Sequence, residues 1–296
     1  AALDDVDTVN GDTIWLEKTN YSENVVINKK ITIRPVSWFN VTVQALNLNL
    51  PIFTINTDGN CTTIQDLIIN GSINNIAIYI NSSTDNQILG NNITNSSNGV
   101  YLYNSTETVI SGNNILNNSL NGVLIITGSD NEVSSNKITS NGSIGINIQN
   151  STANRIYSNS LFTNQDGIYL ENSSAEVHFN SIVGNSQYGL CSKGNSTVNA
   201  TNNWWGSNNP NVSLNNPTDI YRAEGTVNYN PWLILSLNGL TDRSDRNGTC
   251  YICTVTADVT HNSHGNDTSS DGSIPNDTPI NFNSTLGTLN STGSTK

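Results

Sequence analysis

Glu132, Arg155 and Glu176 are the charged residues of the central sequence whose types and spacing come nearest to chemistry; each stands four residues before an asparagine of one repeating column. Two carboxylates beside a cation are the groups of general acid–base hydrolysis, in which one carboxyl protonates a leaving oxygen and the other activates water. Two coils apart on a parallel sheet, the two glutamates would stand about 9 to 10 Å from each other, at or beyond the upper limit for an inverting pair. With Arg155 between them, the column has the order acid, base, acid of a surface ion-pair ladder, and that is the reading we take.

The other candidates carry less. His178, His261 and His264 are scattered or lie in a polar loop, without the spacing of a metal site. Cys250 and Cys253 form C-x-x-C, yet residues i and i+3 of a strand point to opposite faces, which suits neither zinc nor a redox disulfide. With Cys61 and Cys191 there are four cysteines, too few and too scattered for a disulfide scaffold. Asp267, Asp271 and Asp277 in a Gly/Ser loop could hold calcium but match no EF-hand spacing. Neither a phosphate-binding glycine loop nor a Ser/His/Asp signature occurs. The expectation is a chain that is not an enzyme, with no catalytic residue, no metal site and no cofactor.

The elements that would position these residues follow from a repeat of about 22 residues between 70 and 206. One asparagine column runs Asn91, Asn113, Asn136, Asn159, Asn180, Asn202, and a glycine opens a short apolar strand at Gly99, Gly122, Gly145, Gly167 and Gly189. Short alternating strands without helical periodicity predict a right-handed parallel β-helix, a solenoid whose coils stabilise their neighbours. Val100 and Leu102, Val123 and Ile125, Ile146 and Ile148, Ile168 and Leu170 would face inward, and Tyr101, Leu124, Asn147 and Tyr169 outward. Asn and Gly are expected at left-handed turns, with the asparagine column bonding from coil to coil as amide ladders do. The fold class is therefore all-β, a β-helix over 1–235 followed by a partial β-sandwich over 236–296. Within the first unit, 1–69 are irregular entry coils, 70–206 regular coils and 207–235 a closing segment.

Bulk properties narrow the function. The chain has 296 residues, only 11% of them charged, and a formal charge of -12. This acidity argues against nucleic acid, since no basic patch replaces phosphate counterions. No apolar run is long enough to span a bilayer as a helix. The start at Ala1-Ala2-Leu3, without Met, is expected of a chain whose leader was removed, and favours export. Asn-x-Ser/Thr sequons occur at Asn20, Asn40, Asn60, Asn70, Asn81, Asn92, Asn95, Asn104, Asn117, Asn141, Asn150, Asn172, Asn195, Asn199, Asn211, Asn247, Asn266, Asn276, Asn283 and Asn290. About a dozen are expected by chance at this composition, so covalent N-glycans on an exported protein are expected.

Gly11-Asp12-Thr13-Ile14 and the stretch Tyr21 to Thr32 closely resemble the amino-terminal entry of parallel β-helix repeat proteins. Asn202-Asn203-Trp204-Trp205-Gly206 and Val227 to Leu233 resemble the closing coils of β-helix domains in adhesin-like surface proteins of methanogenic archaea, with the tryptophan pair as a hydrophobic plug. Tyr251 to Val259, Ile274 to Phe282 and Leu286 to Leu289 are similar to strands of invasin- and intimin-type immunoglobulin-like domains, of which about 60 residues are present. The resemblance implies an extracellular structural glycoprotein of the cell surface, a repeating subunit of a surface layer, filament or adhesin. Its partners would be copies of itself, through strand exchange at the open C-terminal sheet, and cell-wall or surface glycans. The alternative is a secreted polysaccharide-active β-helix enzyme or a carbohydrate-binding module, for which a cleft lined by Tyr101, Tyr169, Arg155 and the two glutamates would speak.

Overall fold

The computed structural model describes residues 2–36, 40–72, 74–213, 216–240, 254–276 and 278–280. Apolar residues alternate with polar ones over segments of three to six residues, so each segment buries one face as a strand, and the next turns a corner to bury its own. The outcome is a right-handed parallel β-helix of three sheets. Sheet A has ten strands (among them Val109–Ser111, Glu132–Ser134, Asn154–Tyr157 and Ser174–His178), sheet B eight and sheet C nine. Strands of sheet C are the longest, such as Asn98–Tyr103, Ile144–Gln149, Asp166–Glu171 and Tyr188–Lys193.

Successive coils pair in parallel, in register, so identical roles stack. Inward columns such as Ile88, Ile110, Val133, Ile156 and Val177 are fully buried. Each such aliphatic side chain removed from water contributes roughly 1.5–3 kcal/mol. Val100, Leu102, Val123, Ile125, Ile146, Ile148, Ile168 and Leu170 are all at 0% exposure and form the sheet C wall of this core.

The corners explain the polar composition. Between sheets A and B the chain turns through one residue of positive φ, at Asp66, Gly90, Gly112, Ser135, Ser158, Phe179 and Asn202. A buried asparagine follows each of these except Asp66, where Leu67 is buried instead. Asn113 is typical: its Oδ1 accepts the backbone N–H of Asn91 at 2.8 Å, and its Nδ2 donates to Ile88 O at 2.7 Å and to Asn136 Oδ1 at 2.9 Å. The ladder continues through Asn159 and Asn180 and ends in Asn203. Asn202 is thus a correction: it holds the left-handed corner, and its neighbour takes the amide bond. A second ladder, Asn118, Asn141, Asn164 and Asn185, lines the corner between sheets B and C.

The glycine column has a different cause from the left-handed turns. At Gly122, which has no positive φ, a Cβ would stand 2.6 Å from Ile138 Cγ2 and 2.7 Å from the carbonyl oxygen of Gly145 in the next coil. These glycines are required by close approach of the coils.

The two tryptophans part company. Trp205 joins the solenoid core at its last coil, whereas Trp204 packs outside it with Phe179, Leu233 and Ile274. Beyond them, Leu233–Leu240 and Thr254–Asn262 form a small antiparallel sheet that fits a partial sandwich. The segment from 263 to 276 runs back along the solenoid, where Ser158 Oγ donates to Ser273 O at 2.9 Å. Tyr251, Phe282 and 286–289 lie outside the described residues.

Candidate functional site

Outward side chains of a solenoid sheet are normally exposed. On sheet C several are not, and they are polar. Asn98, Asn121, Asn147 and Asp166 are 8%, 9%, 6% and 7% exposed. Asn121 Nδ2 donates to Asn98 Oδ1 at 2.7 Å, and Asn147 Nδ2 to Asn121 Oδ1 at 3.4 Å, so the amides run as a file across the coils. Tyrosines border the file: Tyr79 and Tyr101 lie 5.2 Å apart, Tyr188 and Tyr221 stack at 4.8 Å, and Tyr169 stands in register between Asn147 and Cys191. Polar groups sunk between aromatic rings are the composition of a ligand groove.

The electrostatics point to the same place. Burial pushes the Asp166 carboxyl above the ordinary Asp range, opposed by the Tyr188 amide that donates to its Oδ1 at 3.2 Å and by the charge of Lys193. Burial, then the charge of Glu171, pushes the Tyr169 phenol up to about 12, and Tyr169 Oη donates to Glu171 Oε2 at 3.1 Å. The Cys191 thiol is pushed up to about 12, first by burial and then by Asp166. Lys193 Nζ lies 5.5 Å from the Tyr169 ring centroid. Perturbed titratable groups gathered on one face mark a functional candidate. A carboxyl that burial raises above its usual range is the kind of group that serves as a general acid.

Sheet A carries the residues singled out by sequence. Glu132, Arg155 and Glu176 are in register on three successive coils. Arg155 donates to Glu132 Oε2 at 3.1 Å, Tyr157 Oη to Glu132 Oε1 at 2.6 Å, and Ser134 Oγ to the same oxygen at 3.0 Å. Glu176 Oε2 faces His178 Nε2 at 2.9 Å and accepts from Asn199 Nδ2 at 2.7 Å. Each carboxylate is thus satisfied by neighbours, as in a structural ladder. Tyr101 and Tyr169 lie on sheet C, so the cleft combining them with Arg155 and the glutamates does not form.

His261 lies 3.8 Å from Asp258, apart from His178, and among the described residues no group of three His, Cys, Asp or Glu side chains could hold a metal ion. Asp277, Cys250 and Cys253 lie outside the described residues, as do Asn247, Asn283 and Asn290. The residues of this face, Asp166, Tyr188, Cys191 and Lys193, were missed by sequence reasoning. The signal was available: the residue before each column glycine is Asn98, Asn121, Ile144, Asp166 and Tyr188, and Asp166 is the one acid among them.

Among the sequons, Asn95, Asn104, Asn117, Asn150 and Asn172 are exposed at corners of positive φ. Asn141 is 3% exposed, and its Nδ2 donates to Asn164 Oδ1 at 3.1 Å and to Ile115 O at 3.3 Å. Both of its amide hydrogens are engaged, which leaves none for a glycan bond in the folded chain.

Residues 52–205 match the family described as the right-handed beta helix region. No curated protein sequence matches the chain. Its structure is similar to a variant of the periplasmic alginate epimerase AlgG, with a TM-score of 0.53 and 17% identity over 74% of this chain and 60% of that one. It is also similar to the pectate lyase Pel9A, with a TM-score of 0.51 and 12% identity over 76% of this chain and 68% of that one. A third similar structure is the A-module of the mannuronan C-5 epimerase AlgE6 from Azotobacter vinelandii, with a TM-score of 0.50 and 17% identity over 73% and 63%. The chain thus spans about three fifths of the length of the epimerases it matches. These neighbours are polysaccharide-active, and they overturn the expectation of a non-enzyme, which rested on the charges of sheet A.

Proposed function

The chain belongs to the right-handed β-helix family, and from that premise we propose that it is a secreted polysaccharide-active protein that binds a glycan chain along the outer face of sheet C. The observation that carries this reading is the file of outward yet buried polar side chains, Asn98, Asn121, Asn147 and Asp166, edged by tyrosines. Amides offer both donors and acceptors to sugar hydroxyls, and tyrosine rings offer flat apolar faces with a polar tip. Asp166 is the proton donor of this reading, Lys193 supplies positive charge beside it, and Glu171 fixes the Tyr169 ring through its hydroxyl.

Incubation with a panel of polysaccharides, read by native-gel retardation and by product size and reducing ends, tests the proposal. Retardation by at least one glycan is expected, with product formed by the parent chain and lost in Asp166→Asn while retardation persists. A protein that no polysaccharide retards sinks the reading. The finer role as a self-associating subunit of an archaeal surface layer, filament or adhesin rests on the resemblance of Gly11 to Thr32, Asn202 to Gly206 and Tyr251 to Val259. Electron microscopy of native material, where an ordered lattice or fibre is the supporting result, tests that role.

A further inference from the structure

We infer that the glycan taken by sheet C is an uncharged polysaccharide and not a polyuronate, an inference that rests on sheet C being the glycan face. Alginate and pectate carry a carboxylate on each uronate, and a face that binds such chains must return a positive charge at short intervals. Sheet C does not. From Ile76 to Leu170 its strands contain no basic residue.

Lys193 and Arg222 are the bases of the described sheet C strands, both at one end. Each is already engaged: Lys193 sits over Tyr169 with its charge acting on Asp166, and the Arg222 guanidinium lies 5.2 Å from the Tyr229 ring centroid. Glu171, on the same strand as Asp166, offsets one of them in number.

The flanks deepen the contrast. The corner between sheets C and A carries exposed acids on three successive coils, Asp85, Glu107 and Asp130. Strand spacing places them about 5 Å from one coil to the next. The corner between sheets B and C, at 95–97, 117–121, 140–143, 163–165 and 184–187, holds no charged residue. A polyanion laid along this face meets acids on one side and no cation on the other. A neutral chain meets amides, hydroxyls and rings, and Asp166 keeps its Oδ1 bond to the Tyr188 amide while accepting a sugar hydroxyl.

Native-gel retardation of the full chain distinguishes the substrate classes. Neutral gels (glucan, xylan, galactomannan) are compared with alginate and polygalacturonate at low and high salt, with and without calcium. At least one neutral glycan should retard the protein equally at both salt concentrations, and the polyuronates should not. Tyr169→Ala should weaken that retardation up to about tenfold at unchanged melting temperature, as loss of one aromatic contact predicts. Retardation by a polyuronate alone, in either calcium condition, overturns the inference; if Tyr169→Ala then abolishes it, the glycan face itself stands. No retardation in any gel defeats the sheet C reading as a whole.

Discussion

Two adjacent asparagines, Asn113 and Asn114, give the sharpest test of what holds the solenoid together. Asn113 is the ladder residue, 2% exposed, and its removal leaves the Asn91 backbone N–H without its acceptor inside the coil stack. It also ends the Nδ2 bonds to Ile88 O, Ser111 O and Asn136 Oδ1. One orphaned buried donor costs about 1–3 kcal/mol and each of the three lost bonds about 1 kcal/mol net, so Asn113→Ala should destabilise by about 4–6 kcal/mol. Asn114 lies one residue on, facing out of sheet B, and its Oδ1 is buried with no partner. Replacing it removes an unsatisfied acceptor, so Asn114→Ala should fall within about 1 kcal/mol of the parent chain. Urea titration followed by circular dichroism at the strand minimum measures both, comparing midpoints at equal slope. Equal destabilisation by the two variants would refute the ladder argument, because composition and helix position are the same for both.

Four further outcomes follow from single residues. Gly122→Ala should lower stability by about 1–3 kcal/mol in the same titration, since its Cβ meets Ile138 Cγ2 at 2.6 Å and a backbone oxygen at 2.7 Å. Asp166 has its folded value raised above 3.8, so the folded chain keeps a proton that the unfolded chain has lost; stability should rise as pH falls through the raised value toward 3.8, and Asp166→Asn should stabilise at pH 7 and flatten that slope. Cys191, 1% exposed with its thiol pushed up to about 12, should resist iodoacetamide at pH 9 until the chain unfolds, whereas the partly exposed Cys61 reacts first, as peptide mapping would show. In glycosylated native material, glycopeptide analysis should find Asn141 unmodified, because both its amide hydrogens are bonded in the ladder.

Much of the fold was legible because a solenoid repeats its instructions. The inward assignment of eight sheet C residues needed only the two-residue alternation, and the in-register stack of Glu132, Arg155 and Glu176 needed only the repeat length. The corners were harder. Asn202 and Asn203 are identical in type, and which one turns through positive φ and which one bonds depends on a one-residue offset that composition does not reveal. The glycine column was located correctly but not for its cause, since closeness of coils is a property of packing and leaves no periodic mark different from a turn glycine.

The site stayed hidden for a related reason. Charges were weighed by type, and type led to sheet A, where each carboxylate turns out to be satisfied by neighbours. Polar residues on sheet C matter because they are sunk below the surface, and burial of an outward residue is set by side chains from adjacent coils. The sequons show the same ambiguity. In Asn104-Ser105-Thr106, Asn150-Ser151-Thr152 and Asn172-Ser173-Ser174 the asparagine takes the left-handed corner, and the next serine accepts a backbone N–H from the preceding coil. Thr106 and Thr152 then form bridges to their neighbours. Each position of the motif has a task in the turn, so the corner chemistry alone favours Asn-Ser-Ser/Thr at this corner, although one coil has Thr127-Gly128-Ser129 in its place. Sequon number is therefore weak testimony for glycans in this fold, and exposure of the individual amide is the stronger guide.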